Sequence, residues 1–183
     1  MTFKPKDDEV IEATRQWVSK VVIGLNLCPF AEQPFTRNQI RFVVSGAMSP
    51  SQLVLDLTQE LQHLAATPRS QLETTVLIHP GALEAFAAYH DFLPLAEELV
   101  ERLGLRGKIQ IVGFHPLYQF AETKTDAVEN YTNRSPFPML HLLREDSISE
   151  VASNPETLAG IPKRNIETLR KLGFAGLNPL LKK

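Results

Sequence analysis

Short segments rich in β-branched residues alternate with longer helical ones through the first two thirds of the chain. Leucines at three- and four-residue spacing follow Ser49-Pro50 and predict a helix there, and a longer apolar segment predicts another over residues 83–103, where Pro94 is expected to kink or split it. Connections of this length between strands imply parallel pairing. The strand candidates are residues 40–44, 74–78 and 108–112.

This alternation predicts an α/β fold class. We expect a single domain over residues 1–183, with a βαβαβ core and a largely parallel or mixed sheet packed by helices. A ferredoxin-like α+β arrangement, in which the outer strands pair antiparallel with a neighbour, is the alternative. Further helices are predicted over residues 7–25, 139–151 and 163–172, and residues 119–133 are left as an extra strand, a loop or a lid.

Composition narrows the class of partner. Nineteen Lys and Arg stand against 21 Asp and Glu, the net charge is −2 and the pI is about 6.2, which argues against non-specific binding of nucleic acid or an anionic membrane. The single cysteine excludes a disulfide framework. The first residues lack an apolar signal segment and no run is long enough to span a membrane. We therefore expect a cytoplasmic protein; the sequence leaves cofactors and oligomeric state open.

Two of the predicted strands end in a His-Pro pair. His79-Pro80 follows the second strand and His115-Pro116 follows the third. Because ligands bind outside the carboxyl ends of parallel strands, both imidazoles are candidates for acid–base catalysis, or for metal binding with a carboxylate or Cys28. The alternative is that each His-Pro pair only ends its strand, with the imidazole bonded to a nearby carbonyl. No HExxH or HxH spacing supports a metal site.

A second candidate site lies in the segment from Asn133 to Arg144. Ser135 before Pro136 is expected to cap a helix, whose N-terminus would bind an anion together with Asn133 and the Arg134 guanidinium. His141 and Arg144, three residues apart, would then share one helix face and reach the same ligand. The alternative is that these residues make only turns and caps. Tyr118 is expected to form an aromatic wall near His115 or to pack in the core.

Cys28 follows the first predicted helix, in the turn before Pro29. A thiol at the C-terminal end of a helix has a raised pKa, so a catalytic Cys28 would need a neighbouring His or Arg, and a buried inert thiol is the alternative. Lys163 and Arg164 are expected to open the last helix, where they oppose its dipole. They would face an acid or an anion, or form a solvated basic turn.

Four segments together resemble a known family. NLCPFA beginning at Asn26, GFHPLYQF at Gly113, NRSPFPMLHLLRE at Asn133 and IPKRNI at Ile161 are similar to an uncharacterised family of bacterial proteins, a domain of unknown function. The resemblance covers nearly the whole chain. It implies a bacterial, cytosolic, single-domain protein and supplies no activity.

The residues favour a small enzyme of the hydrolase or transferase type acting on an anionic small molecule. His115 would be the general acid or base, assisted by His79; Arg134 and Arg144 would hold the anion, and Cys28 would be the nucleophile or a pocket wall. The alternatives are a non-catalytic anion-binding or regulatory module, a metal-dependent enzyme using His79 and His115, and an interaction protein that docks through residues 119–133. The glycine-rich nucleotide-binding and hydrolase motifs are missing from the sequence.

Overall fold

A computed structural model describes residues 5–147 and 155–181, and within them a four-stranded mixed sheet lies between helices. The order is β1-β2-β4-β3: β1 and β2 are parallel, and β4 is antiparallel to both β2 and β3. The predicted α/β class is confirmed, and the element order differs from the β-α-β-β-α-β order of the ferredoxin-like alternative. The strands are β1 Ile40–Val44, β2 Thr74–Ile78, β3 Ile109–Phe114 and β4 Met139–Arg144.

The central strand β4 replaces a predicted helix. The sequence predicted a helix over residues 139–151, but Met139–Arg144 forms ladders with both β2 and β3. Leu140 and Leu142 face one layer of the core and Met139 the other, so the strand is apolar on both faces. A strand buried in this way lacks the alternating pattern that distinguishes it from a helix. Residues 148–151 of the prediction lie outside the described residues.

One face of the sheet is covered by α3, Pro50–Ala66, and α4, Phe86–Arg102. The Ser49 side chain accepts a hydrogen bond from the Gln52 amide, which confirms the predicted N-cap. The buried stripe of α3 is Leu53, Leu57, Leu61 and Leu64, each at 0% exposure. Burial contributes about 1.5–3 kcal/mol for each such side chain. Pro94 lies inside α4 without splitting it.

The other face is covered by α1, Asp7–Trp17, a π-helical turn over Val18–Ile23, the short α2, Glu32–Thr36, and α5, Pro155–Leu181. The sequence predicted one regular helix over residues 7–25. In the structure the Gly24 and Leu27 amides bond five residues back, at 3.0 and 2.8 Å. A Cβ on Gly24 would lie 2.3 Å from the Lys20 carbonyl oxygen, so this residue must be small for the turn to close.

The last helix starts earlier than predicted and is interrupted where the prediction ends. α5 contains Ile161 to Ile166 in its interior, where the sequence predicted a helix start, whereas Gly173, directly after the predicted last residue, breaks the helical geometry with φ 61°. Residues 119–133 are a loop closed by a 3-10 turn over Val128–Thr132. Among the helices of residues 5–147 and 155–181, none combines the length and apolar character that crossing a membrane requires.

Candidate functional site

The two His-Pro turns lie at the same edge of the sheet. His79 follows β2 and His115 follows β3, and these strands run in the same direction because β4 between them is antiparallel to both. Both imidazoles pack on Tyr89 from α4, with ring centroids 5.9 and 5.0 Å from the tyrosine ring. Exposure is 0% for His79 and 1% for His115. The histidines therefore meet around a buried tyrosine.

Hydrogen bonds define the tautomer of each ring. Nδ1–H of His79 donates to the Ala82 carbonyl at 2.9 Å, and its Nε2 has no partner. Nε2–H of His115 donates to the Leu83 carbonyl at 3.1 Å, while its Nδ1 accepts from the Leu117 amide at 3.0 Å. Burial lowers the pKa of His79 to about 4 and also lowers the pKa of His115. Both rings are neutral at neutral pH, and both nitrogens of His115 are occupied.

The predicted anion-binding residues mostly hold backbone in place. Arg134 donates from Nε to the Tyr118 carbonyl at 3.0 Å and from Nη2 to the Thr125 carbonyl at 2.6 Å. Asn133 donates to the Gly113 carbonyl, and the Ser135 hydroxyl to the Phe137 carbonyl. The helix N-terminus that the sequence predicted after Ser135 is the start of β4. These contacts tie residues 118–125 and 133–137 to the end of β3.

His141 and Arg144 lie on opposite faces of β4, where the sequence predicted a shared helix face. Arg144 donates to three carbonyls at the end of α3 and just beyond it: Leu64 at 2.6 Å, Thr67 at 2.7 Å and Leu72 at 3.2 Å. It thus satisfies the last turn of α3, whose carbonyls have no partner within the helix. His141 bonds through Nε2 to the Thr74 hydroxyl at 2.7 Å, and burial lowers its pKa to about 4.

Cys28 lies in the predicted turn and lines a small apolar cavity of about 80 Å³ on the α1 side of the sheet. Burial raises the pKa of the thiol, against the lowering effect of the Phe30 and Ala31 backbone and of Arg164. The thiol is therefore protonated at neutral pH. We call this cavity the Cys28 pocket; its walls include Trp17, Val18, Val22, Cys28, Phe30, Ala31, Thr74, Phe114, Met139 and His141.

A larger cleft of about 640 Å³ opens between α1 and the segment that follows the 3-10 turn. A volume of this size is typical of small-molecule sites. We call it the α1 cleft. It is lined by Asp8, Glu9, Glu12, Ala13, Gln16, Trp17, Lys20, Pro116, Tyr131, Arg134, Ser135, Pro136, Leu180 and Leu181.

The α1 cleft has one acidic wall and one aromatic wall. Asp8, Glu9 and Glu12 are exposed on α1, and Lys20 lies further along the helix. On the facing side the Arg134 guanidinium stacks 4.7 Å from the centre of the Tyr131 ring. The lining therefore offers three carboxylates and two cations, one of which is already bonded to backbone carbonyls.

Trp17 is the residue that these two cavities share. Its ring meets Phe114 edge to face at 5.3 Å. Its exposure is 6%, and its indole Nε1–H is buried without a hydrogen-bond partner. An unpaired buried donor costs about 1–3 kcal/mol, so this atom is a candidate for contact with a ligand.

The remaining predicted residues take other positions. Tyr118 packs on Phe86 and Phe120, with ring centroids 5.3 and 5.0 Å apart. Arg164 donates to the Asn26 carbonyl at 2.9 Å, and Asn165 to the Leu27 carbonyl at 2.8 Å. The IPKRNI segment thus holds the NLCPFA turn, as Asn133 and Arg134 hold GFHPLYQF. Several polar side chains of the four motifs therefore bond to the backbone of another motif.

The structure does not bring Cys28, His115 and Arg134 into one cavity. Cys28 lines the Cys28 pocket with His141, Arg134 lines the α1 cleft, and His115 is buried around Tyr89 on the α4 side. Within the described residues, no group of three or more His, Cys, Asp or Glu side chains is placed to hold a metal ion.

Sequence reasoning missed the acidic wall of the α1 cleft. Asp8, Glu12 and Gln16 recur every four residues and so lie along one side of α1, with Lys20 four residues further on in the π-helical turn, a pattern visible in the sequence. In the sequence, the carboxylates at the start of the helix suit its dipole and Trp17 falls on its apolar face, so neither feature by itself indicates a site. That the stripe faces a cleft depends on Tyr131 and Leu180, which are more than a hundred residues away.

Comparison with known proteins gives a family and no activity. A family model described as a protein of unknown function, DUF1415, matches residues 9–178. No curated protein and no solved structure matches the chain. The matched range includes the Cys28 pocket, both His-Pro turns and nearly all of the α1 cleft. Since the match extends over most of its length, the chain belongs to the DUF1415 family of proteins of unknown function.

Proposed function

We propose that the chain is a non-catalytic binding protein whose α1 cleft takes a small organic molecule bearing a positively charged group. The observation that carries this proposal is the acidic wall of Asp8, Glu9 and Glu12 facing the aromatic ring of Tyr131 across a cleft of about 640 Å³. Carboxylates attract organic cations, and the Tyr131 ring, which already holds the Arg134 guanidinium 4.7 Å from its centre, adds apolar surface for the organic part of the ligand. A cytoplasmic location without a nucleic-acid partner is part of the proposal, supported by the net charge of −2.

The absence of catalysis is proposed from the state of the titratable groups. Burial lowers the pKa of His79 and His141 to about 4 and raises the pKa of Cys28, so none of the three is poised to exchange a proton near neutral pH. The nitrogens of His115 are both engaged with backbone. These side chains are instead uncharged, the state in which they pack most favourably in a buried position.

An anionic ligand is the second candidate, and Lys20 and Arg134 favour it. Both line the α1 cleft, Lys20 from the π-helical turn beyond α1 and Arg134 from the wall opposite the acidic residues. Against it, two of the nitrogens of Arg134 already donate to the Tyr118 and Thr125 carbonyls. Glu9 and Glu12 also accept hydrogen bonds, from the Lys6 amide and the Gln16 side chain, so the choice of a cation rests on the three carboxylates that outnumber the two cations of the lining.

The test uses Trp17, the chain's one tryptophan, as a fluorescent reporter in the cleft wall. Benzylammonium, benzoate and benzyl alcohol have similar bodies and charges of +1, −1 and 0. We expect saturable fluorescence changes with benzylammonium at the lowest concentration. Tightest binding of benzoate would establish the anion candidate instead, and no saturable change with any of the three would reject the cleft as a binding site.

Matched variants separate charge from shape. The double variant Asp8→Asn, Glu12→Gln should weaken benzylammonium binding about threefold to fivefold, because exposed charge pairs contribute roughly 0.2–1 kcal/mol each. Binding of benzyl alcohol should not change. Asp91→Asn, at an exposed position of α4 on the other side of the sheet, is the control. Equal weakening by Asp91→Asn would show that only the overall charge matters.

A further inference from the structure

We propose that the Cys28 pocket is a second binding site, which takes a small uncharged apolar molecule with one hydrogen-bond acceptor. It is separate from the α1 cleft, which is open and charged, and the two share only Trp17. The inference stands on the cavity, on the two unsatisfied donors of Trp17 and Ser147 and on the helix geometry beside them, and it does not depend on the function proposed for the α1 cleft.

The size and lining of the pocket select the ligand's body. The pocket lies between the π-helical turn and the sheet and has a volume of about 80 Å³. Val18 and Val22 come from the turn, and Phe114 and Met139 from β3 and β4. This space equals about five water molecules, but water needs two to four polar partners at each position. A mostly apolar cavity of this kind instead takes a small apolar molecule.

Unpaired donors in the wall define the ligand's acceptor, and Trp17 carries the one that the test follows. The indole Nε1–H of Trp17 is buried and unpartnered, although more than nine in ten buried polar groups in proteins find a partner. Of the wall's other polar groups, Nε2 of His141 bonds to the Thr74 hydroxyl, whereas the Ser147 hydroxyl is a second buried donor without a partner. A ligand oxygen within reach of Trp17 would supply the missing partner. Burial raises the pKa of the Cys28 thiol, so the thiol is neutral and gives a charged ligand no advantage over an uncharged one.

The π-helical turn at the pocket is a further indication. π-helical turns are rare and often occur at functional sites, because an extra residue per turn displaces side chains from regular helical positions. Here Val18–Ile23 carries two of the wall residues directly after Trp17. The absence of a Cβ on Gly24 lets the turn close against the Lys20 carbonyl. The local sequence is therefore adapted to a geometry that a regular helix would not give.

The test compares tetrahydrofuran with cyclopentane, two five-membered rings of similar shape of which only the ether has an acceptor. The single tryptophan gives a single indole N–H resonance in a proton–nitrogen correlation spectrum. We expect tetrahydrofuran to move the indole proton downfield in a saturable way, as a new hydrogen bond requires. Cyclopentane should fill the pocket without that downfield shift. Both should slow the alkylation of Cys28 at least severalfold.

Variants localise the effect. Ala31→Leu places a larger side chain in the wall and should abolish both the indole shift and the protection of Cys28, while the exposed Ala65→Leu on α3 should change neither. If Ala31→Leu does not fold, alkylation of the unsubstituted protein still decides: no protection by either ring overturns the proposal. Protection without an indole shift by tetrahydrofuran also overturns it, since the Trp17 N–H then has no part. Benzylammonium titration of Ala31→Leu reports separately on the α1 cleft.

Discussion

The hydroxyl of Tyr89 lies 2.5 Å from the point that a Cβ on residue 113 would occupy, and residue 113 is a glycine. The same hydroxyl donates to the Met139 carbonyl at 2.9 Å, so the ring is held against β3 and β4. Gly113 therefore lets Tyr89 approach β3 closely, because the tyrosine ring fits between His79 and His115 only if β3 has no side chain at this position.

We predict that Gly113→Ala destabilises the protein by about 1–3 kcal/mol, the range typical of overpacked cores. The added methyl would meet Tyr89 and, at 3.2 Å, Leu93, and both are fixed by packing. Urea denaturation followed by circular dichroism measures the change. Gly46→Ala is the control, because a Cβ there has no neighbour within 4 Å, and its effect should stay within about 0.5 kcal/mol. Equal effects of the two variants would contradict the prediction.

The burial of His79 predicts a loss of stability in acid. Its pKa is about 4 in the folded protein against an ordinary value of 6.5, so between these pH values the unfolded chain binds more protons than the folded one. The free energy of unfolding should therefore fall as the pH falls from 6.5 to 4, by about 3 kcal/mol for this group. His141, with its pKa shifted in the same direction, adds to the fall.

Urea denaturation at a series of pH values measures this slope. His79→Asn retains a donor for the Ala82 carbonyl without an ionisable ring, and should flatten the profile between pH 6.5 and 4. His63→Asn, at an exposed position of α3, should leave the profile as it is in the unsubstituted protein. An unchanged slope in His79→Asn would show that other groups are responsible.

The sequence was sufficient for the elements whose pattern is local. The bounds predicted for β1 and β2 agree with the structure, because both are short apolar segments rich in β-branched residues between turn residues. It was insufficient for β4, where Met139–Arg144 is apolar on both faces and the choice between helix and strand depends on the two neighbouring strands. The π-helical turn was also missed, since the apolar spacing of residues 18–23 fits a regular helix.

The same limit applies to the candidate site. That His79 and His115 end parallel strands was readable, and they do meet at one sheet edge. The sequence could not show that the nitrogens of His115 are occupied, because one partner, Leu83, is 32 residues away in the chain. For Arg144 the partners at the end of α3 are more than seventy residues away. A charged side chain at a predicted site is thus indistinguishable from one that caps a distant helix.

We predict that Arg144→Gln destabilises the protein by about 2–3 kcal/mol, because it leaves carbonyls at the end of α3 without charged donors. Urea denaturation measures the effect. Arg102→Gln is the matched control: its partner Glu98 is on the surface, so the loss should be below about 0.5 kcal/mol. A small effect of Arg144→Gln would contradict the prediction and show that the carbonyls at the end of α3 are satisfied without the guanidinium.

Arg134 provides a test of whether a motif residue fixes the fold or binds a ligand. Its guanidinium bonds to the Tyr118 and Thr125 carbonyls while stacking on Tyr131, so Arg134→Gln should loosen residues 118–127. We expect amide hydrogen exchange there to rise about tenfold, which corresponds to roughly 1.4 kcal/mol of local stability. Arg134→Lys should rescue little, because an ammonium cannot reproduce the planar fork and the stacking.

Hydrogen exchange followed by mass spectrometry resolves this segment, with Arg37→Gln at an exposed position as the control. If amide exchange in Arg134→Gln stays at the wild-type rate and benzoate binding is lost, the guanidinium binds a ligand and other contacts hold the loop. Faster exchange with benzylammonium binding retained would mean that the guanidinium holds the loop and does not bind the ligand.

The other contacts that hold this loop come from Asn130. Its side chain accepts a hydrogen bond from the Phe120 amide and donates one to the Lys124 carbonyl. Because these bonds persist in Arg134→Gln, the expected change is local loosening and not loss of the fold.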